Sequence, residues 1–205
     1  MEQRTRPIFK YLPVAIKYIL LAVALTPIIY SKSTIYPYIF SKTVFFRILV
    51  EVAFLLFVVY LTSQTNTFKN IFRYFIGRFR YLKSHSRAAY FLIIFAGLFF
   101  GSMVLSTIFA VDKYVAFWGN FERGEGFFGL IHYFIFFFLA ILFFEKKNWL
   151  TFFRISLVVG FVLIFYAFLQ YFNVKEFPFF PEEASRPGSF VGNPAFLSAY
   201  LFLLL

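Results

Sequence analysis

Cysteine is absent from this chain of 205 residues, which excludes disulfide bridges and thiolate metal sites. Histidine occurs only as His85 and His132, and aspartate only as Asp112, too few ligands for a metal centre built within the chain. Charge is scarce as well. Charged side chains make up 14% of the residues against 61% hydrophobic, leaving too little polar surface to coat a water-soluble domain of this size. The mean hydropathy of +0.79 and the arrangement of apolar residues in long blocks point to a bilayer as the solvent. Phe is abundant, with 37 copies, and supplies lipid-facing bulk without chemistry.

The positive balance of +11 raises nucleic acid as a partner, but the placement of the basic residues fits a membrane and no nucleic acid. Five apolar blocks approach the roughly 20 residues that a spanning helix needs. They run from Tyr11 to Tyr30, Val44 to Thr62, Ala89 to Ala110, Gly126 to Phe144 and Trp149 to Phe172. A sixth begins near Pro194, and its remaining residues reach only about 18 Å of the roughly 30 Å required. The expectation is one all-α, polytopic transmembrane helix bundle over 1–205, with about five full spans and a truncated sixth, forming the N-terminal part of a larger protein. Arg4, Arg6 and Lys10 resemble a signal-peptide start, but the following block is full length and lacks a small-residue cleavage site, so it is expected to be retained.

Lys and Arg alternate in density from loop to loop. The N-terminal segment, the 63–88 loop with Lys69, Arg73, Arg78, Arg80, Lys83 and Arg87, and the turn with Lys146 and Lys147 are basic. The 31–43, 111–125 and 173–193 loops are poorer in basic residues or mixed with acids. Basic loops stay inside, so the N-terminus is expected in the cytoplasm and the 111–125 and 173–193 loops outside it. Within the basic loop, Ile71, Phe72, Phe75, Ile76, Phe79 and Leu82 recur at helical spacing over Asn70 to Lys83. That pattern predicts a cytoplasmic, interfacial amphipathic helix on anionic lipid of the inner leaflet. Lys17 and Arg154 are expected to snorkel to the same interface.

Spans two, four and six enter from the outer side, each with an Arg near its N-terminus: Arg47, Arg123 and Arg186. Helix N-termini carry unpaired N–H groups and partial positive charge, so these groups around one cavity would bind a phosphate or pyrophosphate. The loop Phe117-Trp-Gly-Asn-Phe-Glu-Arg-Gly-Glu-Gly126 combines Trp118, Glu122, Arg123 and Glu125 with glycines, and reads either as a sugar-contacting loop or as an interfacial turn. In Ser185-Arg-Pro-Gly-Ser-Phe-Val-Gly-Asn-Pro-Ala195, Asn193 and Pro194 form an N-cap and first-turn pair, with Gly188 and Gly192 just upstream. Arg47 and Glu51 stand four apart on span two, and a mutual pair is the expected role. His132 is expected as a hydrogen-bonded structural residue, with a general base as the alternative.

Two segments, Gly119-Asn-Phe-Glu-Arg-Gly-Glu-Gly-Phe-Phe-Gly129 and Arg186-Pro-Gly-Ser-Phe-Val-Gly-Asn-Pro-Ala-Phe-Leu-Ser-Ala-Tyr200, resemble the O-antigen ligase and polymerase-like family of bacterial envelope proteins. The resemblance covers about residues 90 to 205. It implies a multi-pass protein of the bacterial cytoplasmic (inner) membrane, with about twice the spans seen here. Its activity would be metal-independent, cofactor-free transfer of a glycan from a polyprenyl-pyrophosphate carrier to a glycan or lipid acceptor hydroxyl at the outer face, as in lipopolysaccharide and polysaccharide biosynthesis. By the same resemblance Arg186 and Arg123 would neutralise the departing pyrophosphate, and Gly188, Gly192, Asn193, Trp118, Glu122, Glu125, His132 and Arg47 would line the substrate site. The family's catalytic His belongs to a large outer loop in the C-terminal half that no residue here matches, so 1–205 alone is expected to be inactive. The alternatives are a lipid-linked sugar flippase or transporter, which moves substrate without a covalent product, and a non-catalytic membrane scaffold.

Overall fold

The computed structural model describes residues 11–63, 69, 72–73, 76–77, 80, 83–84, 87–120, 124–172 and 186–204. Among these residues the regular structure is helical throughout. In chain order it comprises α1 (Leu12–Ala22) continuing into a 3-10 segment (Val23–Ile28), α2 (Phe40–Ser63), α3 (Arg87–Ile108), α4 (Lys113–Trp118) and α5 (Phe127–Phe143). Then follow α6 (Lys146–Tyr171), a 3-10 turn (Ser189–Val191) and α7 (Pro194–Phe202).

Among the described residues three helices are long and apolar enough to cross a membrane: Phe40–Thr62 of α2, Tyr90–Ile108 of α3, and α6. The stretches Leu12–Ile28 and Phe127–Phe143 are apolar but shorter. No residue in the apolar window of α3 is buried by the rest of the chain. Phe91, Leu92, Phe95, Leu98 and Phe99 all stand exposed along it. Water would penalise such a surface, whereas hydrocarbon accepts it and also demands that the backbone bond to itself, as a helix does. The chain is a membrane-embedded helical protein.

Helix boundaries differ from the apolar blocks in three places. The first block changes character at Val23, where the backbone tightens into 3-10 geometry around Pro27. Pro27 has no N–H, and Thr26 bonds its hydroxyl back to the Val23 carbonyl at 2.6 Å. The larger rise of a 3-10 helix extends the combined reach to about 28 Å, close to a hydrocarbon core. The second helix starts at Phe40 rather than Val44, because the Phe40 N–H already bonds to the Tyr36 carbonyl and the Thr43 N–H to Ile39. Lys42 is therefore a first-turn helical residue and not part of the loop. The third difference is at α6, which begins at Lys146, so Lys146 and Lys147 lie in its first turn rather than in the connection. Asn148 caps it there by accepting from the Glu145 N–H at 3.1 Å. The predicted amphipathic helix over 70–83 falls largely outside the described residues; Phe72, Arg73, Ile76 and Arg80 within it are helical.

The chain divides into two compact units, Lys17–Ala53 with Leu139–Leu205, and Met1–Ile16 with Phe54–Phe138. In the first, Val159 and Leu163 of α6 and Leu197 of α7 form a buried cluster flanked by Ile28, Ile155, Phe190, Tyr200 and Leu201. Gly160 lets the Leu201 and Leu204 side chains close on α6, and the Tyr200 hydroxyl donates to the Ser156 carbonyl at 3.0 Å. Val50 and Ala53 of α2 and Leu139 and Ala140 of α5 are also buried in this unit. At the end where α6 begins, Lys17 of α1 pairs with Glu145 at 2.9 Å, and Lys147 approaches the other carboxylate oxygen at 3.5 Å. Lys17 thus bonds to a carboxylate at that end instead of merely reaching for the interface. In the second unit α3 packs on α5 through Phe100 and Phe134, whose rings meet edge to face at 4.6 Å.

The Lys17 hydrogen bond, with Lys147 beside it, holds the Glu145 carboxyl below its ordinary range. A carboxyl depressed in the folded state stabilises above its unfolded value, and the contribution is lost as pH falls through the folded one. The group is fully exposed, so E145Q is expected to leave the thermal midpoint in detergent micelles close to wild type. L163A removes a fully buried side chain and should cost about 2 kcal/mol. That is the low end for a core Leu, because lipid is as apolar as the side chain it replaces and mainly packing is lost. A larger effect from E145Q than from L163A would contradict this ordering.

Candidate functional site

The Arg186–Asn193 segment folds into a turn that several elements hold. Gly188 adopts φ −107° and Gly192 φ 81°, and a 3-10 turn runs between them. Ser189 also lies in the left-handed region at φ 52°, which a non-glycine residue occupies at a cost of about 1–3 kcal/mol. Its surroundings enforce that conformation. Its N–H donates to Gln170 Oε1 at 2.7 Å, its hydroxyl donates to the Leu163 carbonyl at 2.8 Å, and the residue is 1% exposed. The next residue, Phe190, stacks on Tyr166 with ring centroids 4.0 Å apart.

From the other side, Lys42 of α2 donates to the Phe190 carbonyl at 2.6 Å and to the Tyr38 carbonyl at 2.8 Å. One ammonium thereby ties the start of α2 to the middle of the turn through charge-assisted bonds. The Tyr38 ring covers Gly192 so closely that a Cβ there would run into the ring carbons. Tyr30 packs against the same ring at 4.9 Å between centroids. Burial, with Tyr30 alongside, pushes the Tyr38 hydroxyl well above its ordinary range, so it stays neutral. Asn193 then caps α7, its Oδ1 accepting from the Ala195 N–H at 2.8 Å, with Pro194 in the first turn. That local structure is the one expected from the Asn-Pro pair.

Arg186 stands at the head of this turn and is exposed. Gly188, Gly192 and Asn193 come together just downstream of it in the turn. The close approaches of the two glycines are made to the chain itself: Gly188 to the backbone of Gly192 and Asn193, Gly192 to Tyr38. Arg47 belongs to the same unit and is half-buried on α2, with Glu51 one turn further along and exposed. A groove of about 550 Å³ runs beside α6 and α7, lined by Leu157, Gly160, Phe161, Ile164, Ser198, Leu201, Phe202 and Leu204. Its lining carries no charge, so it offers nothing to a phosphate.

The other unit carries the second sequence segment. Asp112 accepts from the Val115 N–H at 3.0 Å and starts the short helix α4 inside what reads as a loop. α4 ends at Gly119, φ 78°, whose backbone lies against that of Gly126; a side chain on either would strike the other. Trp118 is partly exposed and packs on Phe128 at 5.1 Å. His132 is 3% exposed, and its Nδ1 lies 2.7 Å from the Phe128 carbonyl of its own helix. Glu125 is exposed. Glu122 and Arg123 lie outside the described residues. Among the described residues no group of three or more His, Asp or Glu side chains is placed to hold a metal.

Sequence reasoning missed Lys42, Tyr38 and Gln170. Lys42 falls in a loop by its sequence, and neither Tyr38 nor Gln170 bears a motif; their roles arise from contacts with the 189–192 turn at least 19 positions away in sequence. G192A should destabilise the chain by more than about 1 kcal/mol, from the left-handed backbone and the Tyr38 ring together. G97A, which meets nothing within 4 Å in mid-helix, should be neutral or slightly stabilising in the same thermal assay. Equal midpoints for the two variants would contradict the packing described. Compared with protein-family models, curated proteins and solved structures, the chain matches none.

Proposed function

We propose that the chain contributes the pyrophosphate-binding residues of an O-antigen ligase-like glycosyltransferase of the bacterial cytoplasmic membrane. Its substrates would be a glycan on a polyprenyl-pyrophosphate carrier and an acceptor hydroxyl on a glycan or lipid. The observation that carries the reading is the fixed turn at the N-terminus of α7, with Arg186 exposed at its head. A guanidinium there stands close in sequence to a helix start, whose partial positive charge adds to its own and suits a pyrophosphate leaving group. The acceptor oxygen bonds to the anomeric carbon of the glycan as the bond from that carbon to the pyrophosphate oxygen breaks. Charge grows on the departing diphosphate, where a positioned cation lowers the barrier most. The acceptor proton goes to a base, which the family resemblance places on a His of a large outer loop rather than on these residues. Arg123 joins the same task by the resemblance alone.

In this reading the basic segments 1–10, 63–88 and 145–147 face the cytoplasm and the Arg186 turn faces outward. Since the chain has no native Cys, single-cysteine variants report sidedness directly. R186C should react with a membrane-impermeant maleimide in intact cells and K147C only after permeabilisation; the reverse pattern would overturn the orientation. R186A should abolish glycan transfer by the protein at unchanged membrane abundance, a loss of about a hundredfold or more on the scale of removing one transition-state donor. Normal transfer by R186A would remove the proposal's support.

A further inference from the structure

Arg186 is exposed on a turn whose backbone is strained at Ser189, yet the turn is anchored from two different helices by side chains with no role in the chemistry above. Gln170, at the end of α6, takes the Ser189 N–H at 2.7 Å. Lys42, in the first turn of α2, takes the Phe190 carbonyl at 2.6 Å while also holding Tyr38, whose ring lies over Gly192. Of the two, Lys42 is the more informative. A Gln–amide bond is an ordinary way to fix a turn. A lysine drawn partly out of water to bond two carbonyl oxygens loses hydration that carbonyls only partly replace. A neutral side chain would fix the same backbone at lower cost, so fold stability alone does not account for the residue.

We propose that Lys42 is a positioning residue for Arg186: a latch from α2 that holds the 186–192 turn in one conformation so that the guanidinium meets the diphosphate in a fixed place. The proposal rests on the glycan-transfer reading for the identity of the anion; the latch itself rests on geometry. Arg186 lies four residues before the latched carbonyl, and Pro187 and the tightly packed Gly188 between them leave the chain few ways to relax. Releasing Lys42 removes the bond from α2 to the Phe190 carbonyl and leaves the turn held by the Gln170 and Leu163 bonds to Ser189 and by the Tyr38 ring on Gly192. Arg186 would then sample more positions, and misplacement of a catalytic cation by about 1 Å costs up to about a hundredfold in rate.

The test separates the latch from the reaction. In the cysteine-free chain, a nitroxide spin label attached through R186C in lipid vesicles reports local mobility, with a K147C label as the reference at the far end of α6. Added K42M should sharpen the Arg186-position spectrum and leave the reference unchanged, and K42R, which keeps the charge and the donors, should restore the immobile spectrum. An unchanged label at position 186 in K42M would overturn the latch. So would equal loosening of both labels, since the residue would then be a general support. With native Arg186, K42M should lower kcat for transfer by about tenfold to a hundredfold with donor KM little changed, and K42R should recover it. If K42M mobilises the label while the wild-type protein transfers no glycan, the latch stands and the glycan-transfer reading falls; normal transfer by R186A would instead end the role given to Arg186, and the positioning role with it. If K42M mobilises the label and transfer is lost in R186A but not in K42M, the positioning role falls.

Discussion

Hydrocarbon cannot hydrogen-bond to a peptide group, and that single constraint governs most of this chain. Every N–H and C=O within the apolar layer must be satisfied by the chain, so long apolar blocks become helices and irregular backbone collects at their ends. The exceptions observe the same constraint. Where the helix following Leu12 loses a donor at Pro27, the backbone tightens to 3-10 geometry and Thr26 bonds back to Val23. Where the Arg186–Asn193 turn leaves helical geometry, Gln170, Lys42 and the Ser189 hydroxyl complete the bonds that the turn itself does not close.

Glycine and tyrosine together shape the end of the unit where that turn sits. Gly192 supplies a left-handed residue and the space for a ring, and Tyr38 fills the space. Tyr30, Tyr166 and Phe190 extend the aromatic packing around it. Such rings bury large apolar area with few rotatable bonds, which suits a rigid mount. The result is an exposed Arg186 on a stiff base, a combination that ordinary loop dynamics would not provide. Lys42 belongs to this base geometrically although it lies far away in sequence.

Several features were legible from local chemistry. Asn193-Pro194 marked the start of α7 because an amide cap and a fixed proline φ act within one turn. The apolar blocks marked α2, α3 and α6 because solvent-scale hydrophobicity needs no knowledge of neighbours. Boundaries were less legible: Phe40 and Lys146 begin their helices before the apolar runs do, since Tyr36 and Asn148 provide the bonds that start them. The glycines were read as room for a ligand, whereas Gly119 meets Gly126 and Gly192 meets Tyr38. Spacing shows that a backbone can be approached closely, not by what.

By itself the sequence determined the solvent, the helical class and the asymmetry of basic loops, because each depends on composition summed over a segment and on the energy of placing polar groups in hydrocarbon. Tertiary structure alone decided that Lys42 bonds to Phe190, that Ser189 is held in a strained conformation between Gln170 and Leu163, and that Lys17 meets Glu145 across 128 positions. Those pairings depend on which helix ends come to lie within about 3 Å of one another, the range of a hydrogen bond. A one-dimensional pattern carries no record of that distance.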